Sequence, residues 1–227
     1  MDEATRESVE VLLCARVHVY RVFQSLFGGH PTEELLKVLA DESTVEALRF
    51  FASDSDDAFS AAEEAFAAEL QEVTPEALDP VYVRLFVGTG KMVAPPWESV
   101  YLRPDRLLFT EETLAVREAY RAQGFIPKGY PVVADDSLAL ELDFMAELAK
   151  AACDGFANGG EGYGEALNRL EASAAFLDGH LMVWIGRYLD ALHQGGEDGF
   201  YSKAAALVDA FLSCDREAID ELVAVLR

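Results

Sequence analysis

DDSLALELDFMAELAKAA, residues 135–152, decides the fold class. Leu138, Leu142, Met145 and Leu148 recur three or four residues apart, the spacing of one face of an α-helix. Asp135 or Asp136 supplies an N-cap signal, because a short carboxylate accepts the unpaired N–H groups of a first helical turn. Upstream, Gly124 to Ala134 contains Pro127, Gly129 and Pro131 and reads as an irregular loop. Before it, Thr110-Glu111-Glu112 starts a helix that ends ahead of Gly124, and Thr74-Pro75 starts one that continues to about Phe86. Phe59, Phe66 and Leu70 share a face after the Ser/Asp cluster at 53–57. Residues 3–27 carry an apolar face through Val9, Leu12, Leu13, Val17, Tyr20 and Phe27, ended by Gly28-Gly29. His30-Pro31-Thr32 opens a short helix with Glu33 and Glu34 in its first turn, where acidic charge suits the helix dipole.

Downstream, Gly155 to Gly164 reads as a short linker within the domain. Three helices follow, near 165–193, 198–213 and 216–226. Leu177, Leu181, Trp184 and Tyr188 form one stripe, with a break expected near Asp178-Gly179. Sustained strand alternation is absent. The expectation is all-α: a single-domain helical bundle of about ten helices spanning 1–227, with two functional loops.

The charge pattern narrows the function classes. The 227 residues include 18 basic and 41 acidic side chains, a formal net charge of −23. Such a field repels phosphate backbones and anionic lipid and attracts basic partners. Nucleic-acid binding and stable membrane insertion are therefore not expected. Hydrophobic residues make up 51% of the chain, enough for a sizeable core. Cys14, Cys153 and Cys214 are scattered, without a CxxC, and read as small buried hydrophobes in a reducing compartment. The first residues, MDEATRESVEVLL, lack the basic region and unbroken apolar core of a secretory signal, so a cytoplasmic protein is expected.

Catalytic and metal chemistry find little support. His18, His30, His180 and His193 fall in no HExxH or Cys/His array, and no Glu-x-x-His motif accompanies the many carboxylates. No metal and no cofactor are expected. Gly88-Thr89-Gly90-Lys91 lacks the phosphate-loop spacing and a preceding strand. There is no GxSxG, and the apolar helical settings of Cys14 and Cys153 favour inert thiols. The chain does not read as an enzyme.

Two features remain. The segment YVRLFVGTGKMVAPPWESVY, residues 82–101, places Gly88, Gly90, Pro95, Pro96 and Trp97 closer together than helix packing requires. Ordering such a loop costs about 1–2 kcal/mol per residue in backbone entropy, so an ordered one usually positions something. The second feature is Asp135-Asp136, at the head of the apolar helix.

Together these pieces resemble the TorD/DmsD/NarJ family of redox-enzyme maturation chaperones, most closely its TorD/DmsD branch. Tyr82-x-x-Leu85-Phe86-x-Gly88 with Ala94-Pro95-Pro96-Trp97-Glu98-Ser99-Val100-Tyr101 looks like the family signature. Asp135 to Met145 is similar to its second block. Phe176-Leu177-x-x-His180 with Trp184, then Phe200-Tyr201 and Ala204-Ala205-Ala206, is similar to a third. Family members commonly place His after the Asp, where this chain has Ser137. The resemblance implies a cytoplasmic chaperone without catalysis. Its partners would be a molybdopterin oxidoreductase catalytic subunit and that subunit's twin-arginine signal peptide, held until the cofactor is inserted. The chaperone itself would be a monomer or homodimer. An alternative is a helical adaptor for another basic or amphipathic segment.

A twin-arginine peptide joins a basic stretch to an apolar one, so its binder needs an apolar groove with carboxylates nearby. A buried large apolar side chain contributes about 1.5–3 kcal/mol, and an exposed Arg–carboxylate pair about 0–1 kcal/mol. Apolar contacts should therefore supply affinity, and acidic groups should steer. Leu85, Phe86 and Trp97 are expected to form the groove. Asp136, with Asp135 and Glu98, is expected to meet the arginines, and Ser137 beside them is expected among the signal-peptide-binding residues. Tyr82, Gly88, Pro95, Pro96, Tyr101, His180 and Trp184 are expected to support the walls.

Overall fold

The computed structural model of the chain describes residues 1–52, 57–87, 92–127 and 133–227. The Ser/Asp stretch 53–56, Gly88 with the rest of 88–91, and 128–132 of the second loop lie outside the described residues. The helices are α1 (Glu3–Gly28), α2 (Glu33–Ala40), α3 (Glu42–Arg49), α4 (Asp57–Leu70), α5 (Pro75–Tyr82) and α6 (Glu98–Leu102). They continue with α7 (Glu111–Ala122), α8 (Leu138–Asn158), α9 (Gly162–Phe176), α10 (Met182–Gln194) and α11 (Phe200–Leu226). One π-helical turn, Val83–Val87, prolongs α5, and another, Leu177–Leu181, joins α9 to α10. The all-α expectation holds. Among the described residues the sole β feature is an isolated antiparallel bridge between Trp97 and Ser137.

α1 and α8 form the central antiparallel pair. Rising residue numbers on α1 meet falling numbers on α8: Cys14 faces Cys153, Arg21 bonds Asp143 and Glu147, and Gly28 abuts Ala139. Leu13, Leu138, Leu142, Met145 and Leu148 are buried, so the periodicity of residues 135–152 is a core face. α11 packs on α1, α4, α9 and α10. Its Phe211 meets Phe51, Tyr20 and Phe23 at ring-centroid separations of 4.9, 5.2 and 5.4 Å, all edge-on.

Several helix ends depart from expectation, each for a local reason. Ser137, not Asp135 or Asp136, caps α8, its hydroxyl accepting the Leu140 N–H. α8 runs past Ala152 to Asn158, so the glycine-rich linker shrinks to a few residues. A Cβ on Gly162 would collide with the Gly155 carbonyl oxygen. The glycines there let α8 and α9 close on each other instead of breaking the helix. The break near Asp178-Gly179 is a π turn rather than an end.

The two helices expected at 198–213 and 216–226 are one, α11. Ser213-Cys214-Asp215 resembles a cap signal, but Asp215 is fully buried. It takes Arg16 Nε at 2.6 Å and the Tyr20 hydroxyl at 2.5 Å. A buried charge requires such partners, and they lie almost the whole chain away.

Candidate functional site

The two irregular blocks meet in space. The Trp97–Ser137 bridge is flanked by the Glu98 N–H donating to the Asp136 carbonyl (2.9 Å) and the Leu138 N–H donating to the Pro96 carbonyl (3.0 Å). The Asp136 carboxylate accepts the Ser99 N–H at 2.9 Å, capping short α6 from another segment of the chain. Trp97 is tied locally as well, its N–H donating to the Pro95 carbonyl at 3.0 Å.

Above this junction lies a cleft of about 250 Å³. The C-terminal end of α1 contributes Phe27 and Gly28, α5 and its π turn contribute Tyr82 and Phe86, the loop contributes Pro96 and Trp97, and the head of α8 contributes Ser137 to Leu140. An aromatic cluster underlies it. Phe86 lies 5.0 Å from Tyr82, 5.2 Å from Tyr201 and 6.0 Å from Phe27. The His30 ring packs on Tyr82 at 4.8 Å, and its Nδ1 lies 2.6 Å from the half-exposed Asp79 carboxylate. The Trp97 indole N–H is enclosed and has no hydrogen-bond partner among the described residues. A buried donor left this way gains most from an incoming carbonyl.

Beneath the cleft is a polar bed. Glu98, Asp135, Asp136 and Glu141 are all buried. Asp135 pairs with Arg117 at 2.6 Å, and its carbonyl accepts the Tyr120 hydroxyl at 2.9 Å. The Glu98 carboxylate lies 3.0 Å from His180 Nδ1. Trp184 donates its indole N–H to Glu141 at 3.1 Å and stacks on Tyr101 with centroids 5.6 Å apart. Burial, reinforced by the charge of Glu98, pushes the Glu141 carboxyl well above the usual glutamate range. Burial likewise raises the Tyr101 hydroxyl. Among the described residues no group of three or more His, Cys, Asp or Glu side chains is arranged to hold a metal ion.

The expected site residues therefore separate into layers. Phe86, Trp97 and Ser137 line the cleft, joined by Tyr82 and Pro96; Pro95 supplies the carbonyl that fixes Trp97. Leu85 points into the core, fully buried. Asp135, Asp136 and Glu98 are enclosed and committed to Arg117, Ser99 and His180, so none presents a free carboxylate at the surface. The reason is local: two acidic side chains where two loops cross are consumed by unpaired N–H groups and by Arg117. Tyr101, His180 and Trp184 belong to the bed. Gly88 lies outside the described residues. Phe27, Tyr201 and the His30–Asp79 pair were not expected here. Their sequence signal is weak, because each lies in another helix or connection where an aromatic or charge reads as ordinary packing.

Comparison with known proteins bears on the same segments. The nitrate reductase delta subunit family matches residues 52–190, which hold the two crossing loops and the polar bed. The chain is 32% identical over 139 residues to the chaperone protein TorD of Vibrio cholerae serotype O1, covering 61% of this chain and 60% of that protein. It is 29% identical over 141 residues to the Tat proofreading chaperone DmsD of Salmonella typhi, covering 62% and 61%. It is 27% identical over 126 residues to the probable Tat proofreading chaperone DmsD of Haemophilus influenzae, covering 56% and 54%. The matches thus span about three fifths or less of these curated relatives. With well over half of its length matched, the chain belongs to the nitrate reductase delta subunit (TorD/NarJ) family.

Proposed function

We propose that this protein is a non-catalytic maturation chaperone that holds the twin-arginine signal peptide of a molybdopterin oxidoreductase in the cleft between α1, the α5 π turn, Trp97 and the head of α8. The reading places it in the cytoplasm, as one domain, retaining its client until the cofactor is inserted. One observation carries the proposal. The two irregular sequence blocks, distant along the chain, combine into an apolar, aromatic-floored cleft lined by Trp97, whose enclosed indole N–H has no partner among the described residues.

The peptide's apolar stretch fits that floor, and its backbone carbonyls offer acceptors for Trp97. The arginines are drawn by a chain of net charge −23, with half-exposed Asp79, linked through His30 to the cleft-lining Tyr82, as an accessible carboxylate. Asp135, Asp136 and Glu98 act indirectly, by fixing the loops that carry Trp97 and Ser137. Relatives named TorD and DmsD chaperones support the same reading. Among the described residues no helix is long and apolar enough to cross a membrane.

The protein contains two tryptophans, Trp97 at the cleft and fully buried Trp184. Titration with a synthetic peptide bearing two adjacent arginines and a following apolar run should therefore change the emission of Trp97 and saturate. Replacing both arginines by glutamine should weaken binding at low salt. No saturable change up to about 100 µM peptide, corresponding to about −5.5 kcal/mol, would remove the proposal.

A further inference from the structure

Cys14 and Cys153 were expected to be inert and separate, yet their sulfurs are 3.2 Å apart across the α1–α8 pair. The two thiols differ in a useful way. Cys14 is exposed, whereas Cys153 is partly buried against the core. Cys14 lines an open groove of about 580 Å³ between α1 and α3, beside Glu7, Glu10 and Glu46. Burial, then the contact with Cys14, pushes the Cys153 thiol up to about 12. The solvent-facing thiol is thus the one a reagent reaches first, and the inner one is positioned to follow. Cys214 sits elsewhere, buried on α11.

We propose that Cys14 and Cys153 form a dithiol site that is oxidised to an α1–α8 disulfide by small cationic disulfides, with Cys14 as entry thiol and Cys153 as resolving thiol. The Cys14 thiolate attacks one sulfur of R–S–S–R, forming Cys14–S–S–R and expelling RS⁻, which takes a proton from water. Cys153 then loses its proton to solvent and attacks Cys14 Sγ, expelling the second RS⁻. The protein gives up two protons and two electrons, and the reagent becomes two thiols. Closing from 3.2 Å to the roughly 2.05 Å of a disulfide needs only a small side-chain rotation on helices already in contact. The acidic groove selects the charge of the reagent. The inference rests on residues of α1, α3 and α8 that take no part in lining the cleft, and is independent of the peptide reading.

The test treats the reduced full-length protein with cystamine or with oxidised glutathione and follows intact mass and peptide maps. Cystamine should yield a product lighter by two hydrogens with Cys14 joined to Cys153. Cys153→Ser should stop as a mixed disulfide on Cys14, and Cys14→Ser should leave Cys153 unmodified. At low salt cystamine should react on the order of tenfold faster than oxidised glutathione, the gap narrowing as salt screens Glu7, Glu10 and Glu46. The oxidised protein should melt about 5–15 °C higher, because the bridge closes a long loop in the unfolded chain. Wild type stalling at the mixed disulfide, Cys153 being modified in Cys14→Ser, or oxidised glutathione reacting faster at low salt would each overturn the proposal. So would an oxidised form that melts lower than the reduced one.

Discussion

Replacing Trp97 by alanine separates binding from folding. The bonds that hold the loop crossing are made by backbone, Trp97 N–H to Pro95 and the bridge to Ser137, and survive the substitution. The indole itself is half-buried at the cleft, so truncation should cost at most about 2 kcal/mol of stability, below about 8 °C in Tm for a chain of this size. Binding should suffer more. The lost apolar contact is worth about 2 kcal/mol and the lost indole N–H about 1 kcal/mol, together near two decades in Kd. Trp97→Phe keeps most of the contact but not the donor, and should lose only about fivefold. Because the variants remove the fluorophore, titration calorimetry with the arginine-bearing peptide is the assay, repeated at low and high salt. The loss should persist at high salt, since it is apolar in origin. A Trp97→Ala affinity within twofold of wild type would refute the cleft as the peptide site. A Tm loss well beyond 10 °C would instead make Trp97 a core residue.

The polar bed and Asp79 give three further tests. Asp136→Ala strands the buried Ser99 N–H and should cost about 1–3 kcal/mol by chemical denaturation, whereas Asp136→Asn keeps an acceptor and should cost less, leaving the salt dependence of peptide binding unchanged. Asp79→Asn should do the reverse, with an unaltered Tm and a several-fold weaker peptide affinity at low salt only; equal weakening at every salt concentration would count against a steering role. Glu141 holds its proton in the folded protein above 4.5, where the unfolded chain has released it. The folded state then binds more protons, and this contribution to stability falls as pH rises. Glu141→Gln stays neutral and still accepts from Trp184, so its Tm relative to wild type should climb as pH rises above about 4.5. Parallel melting curves would show that Glu141 titrates normally.

Most of the helices were legible because their signals are local. Thr32 and Thr74 each accept the N–H three residues on, as their cap positions foretold, and the Leu138 to Leu148 period is a buried face. Errors arose where a polar residue could serve either a local or a distant partner. The interval between the helices expected at 198–213 and 216–226 holds Asp215, a buried acceptor for Arg16 and Tyr20 within one continuous helix. Asp136 looked like the cap of its own helix and caps α6 instead. Short-range rules weigh only nearby donors, and both carboxylates found theirs across the fold.

The sequence by itself determined that this is an α-helical, strongly acidic chain with two irregular loops. Periodicity, caps and net charge are carried by neighbouring residues and need no knowledge of the fold. Tertiary structure decided the use of each polar and aromatic group. It turned Asp135, Asp136 and Glu98 inward and built the cleft floor from Phe27, Tyr82, Phe86 and Tyr201 on three separate stretches. It also brought Cys14 against Cys153. Those outcomes depend on which surfaces meet when α1, α8 and α11 pack, and spacing along one helix carries no record of the face it will meet.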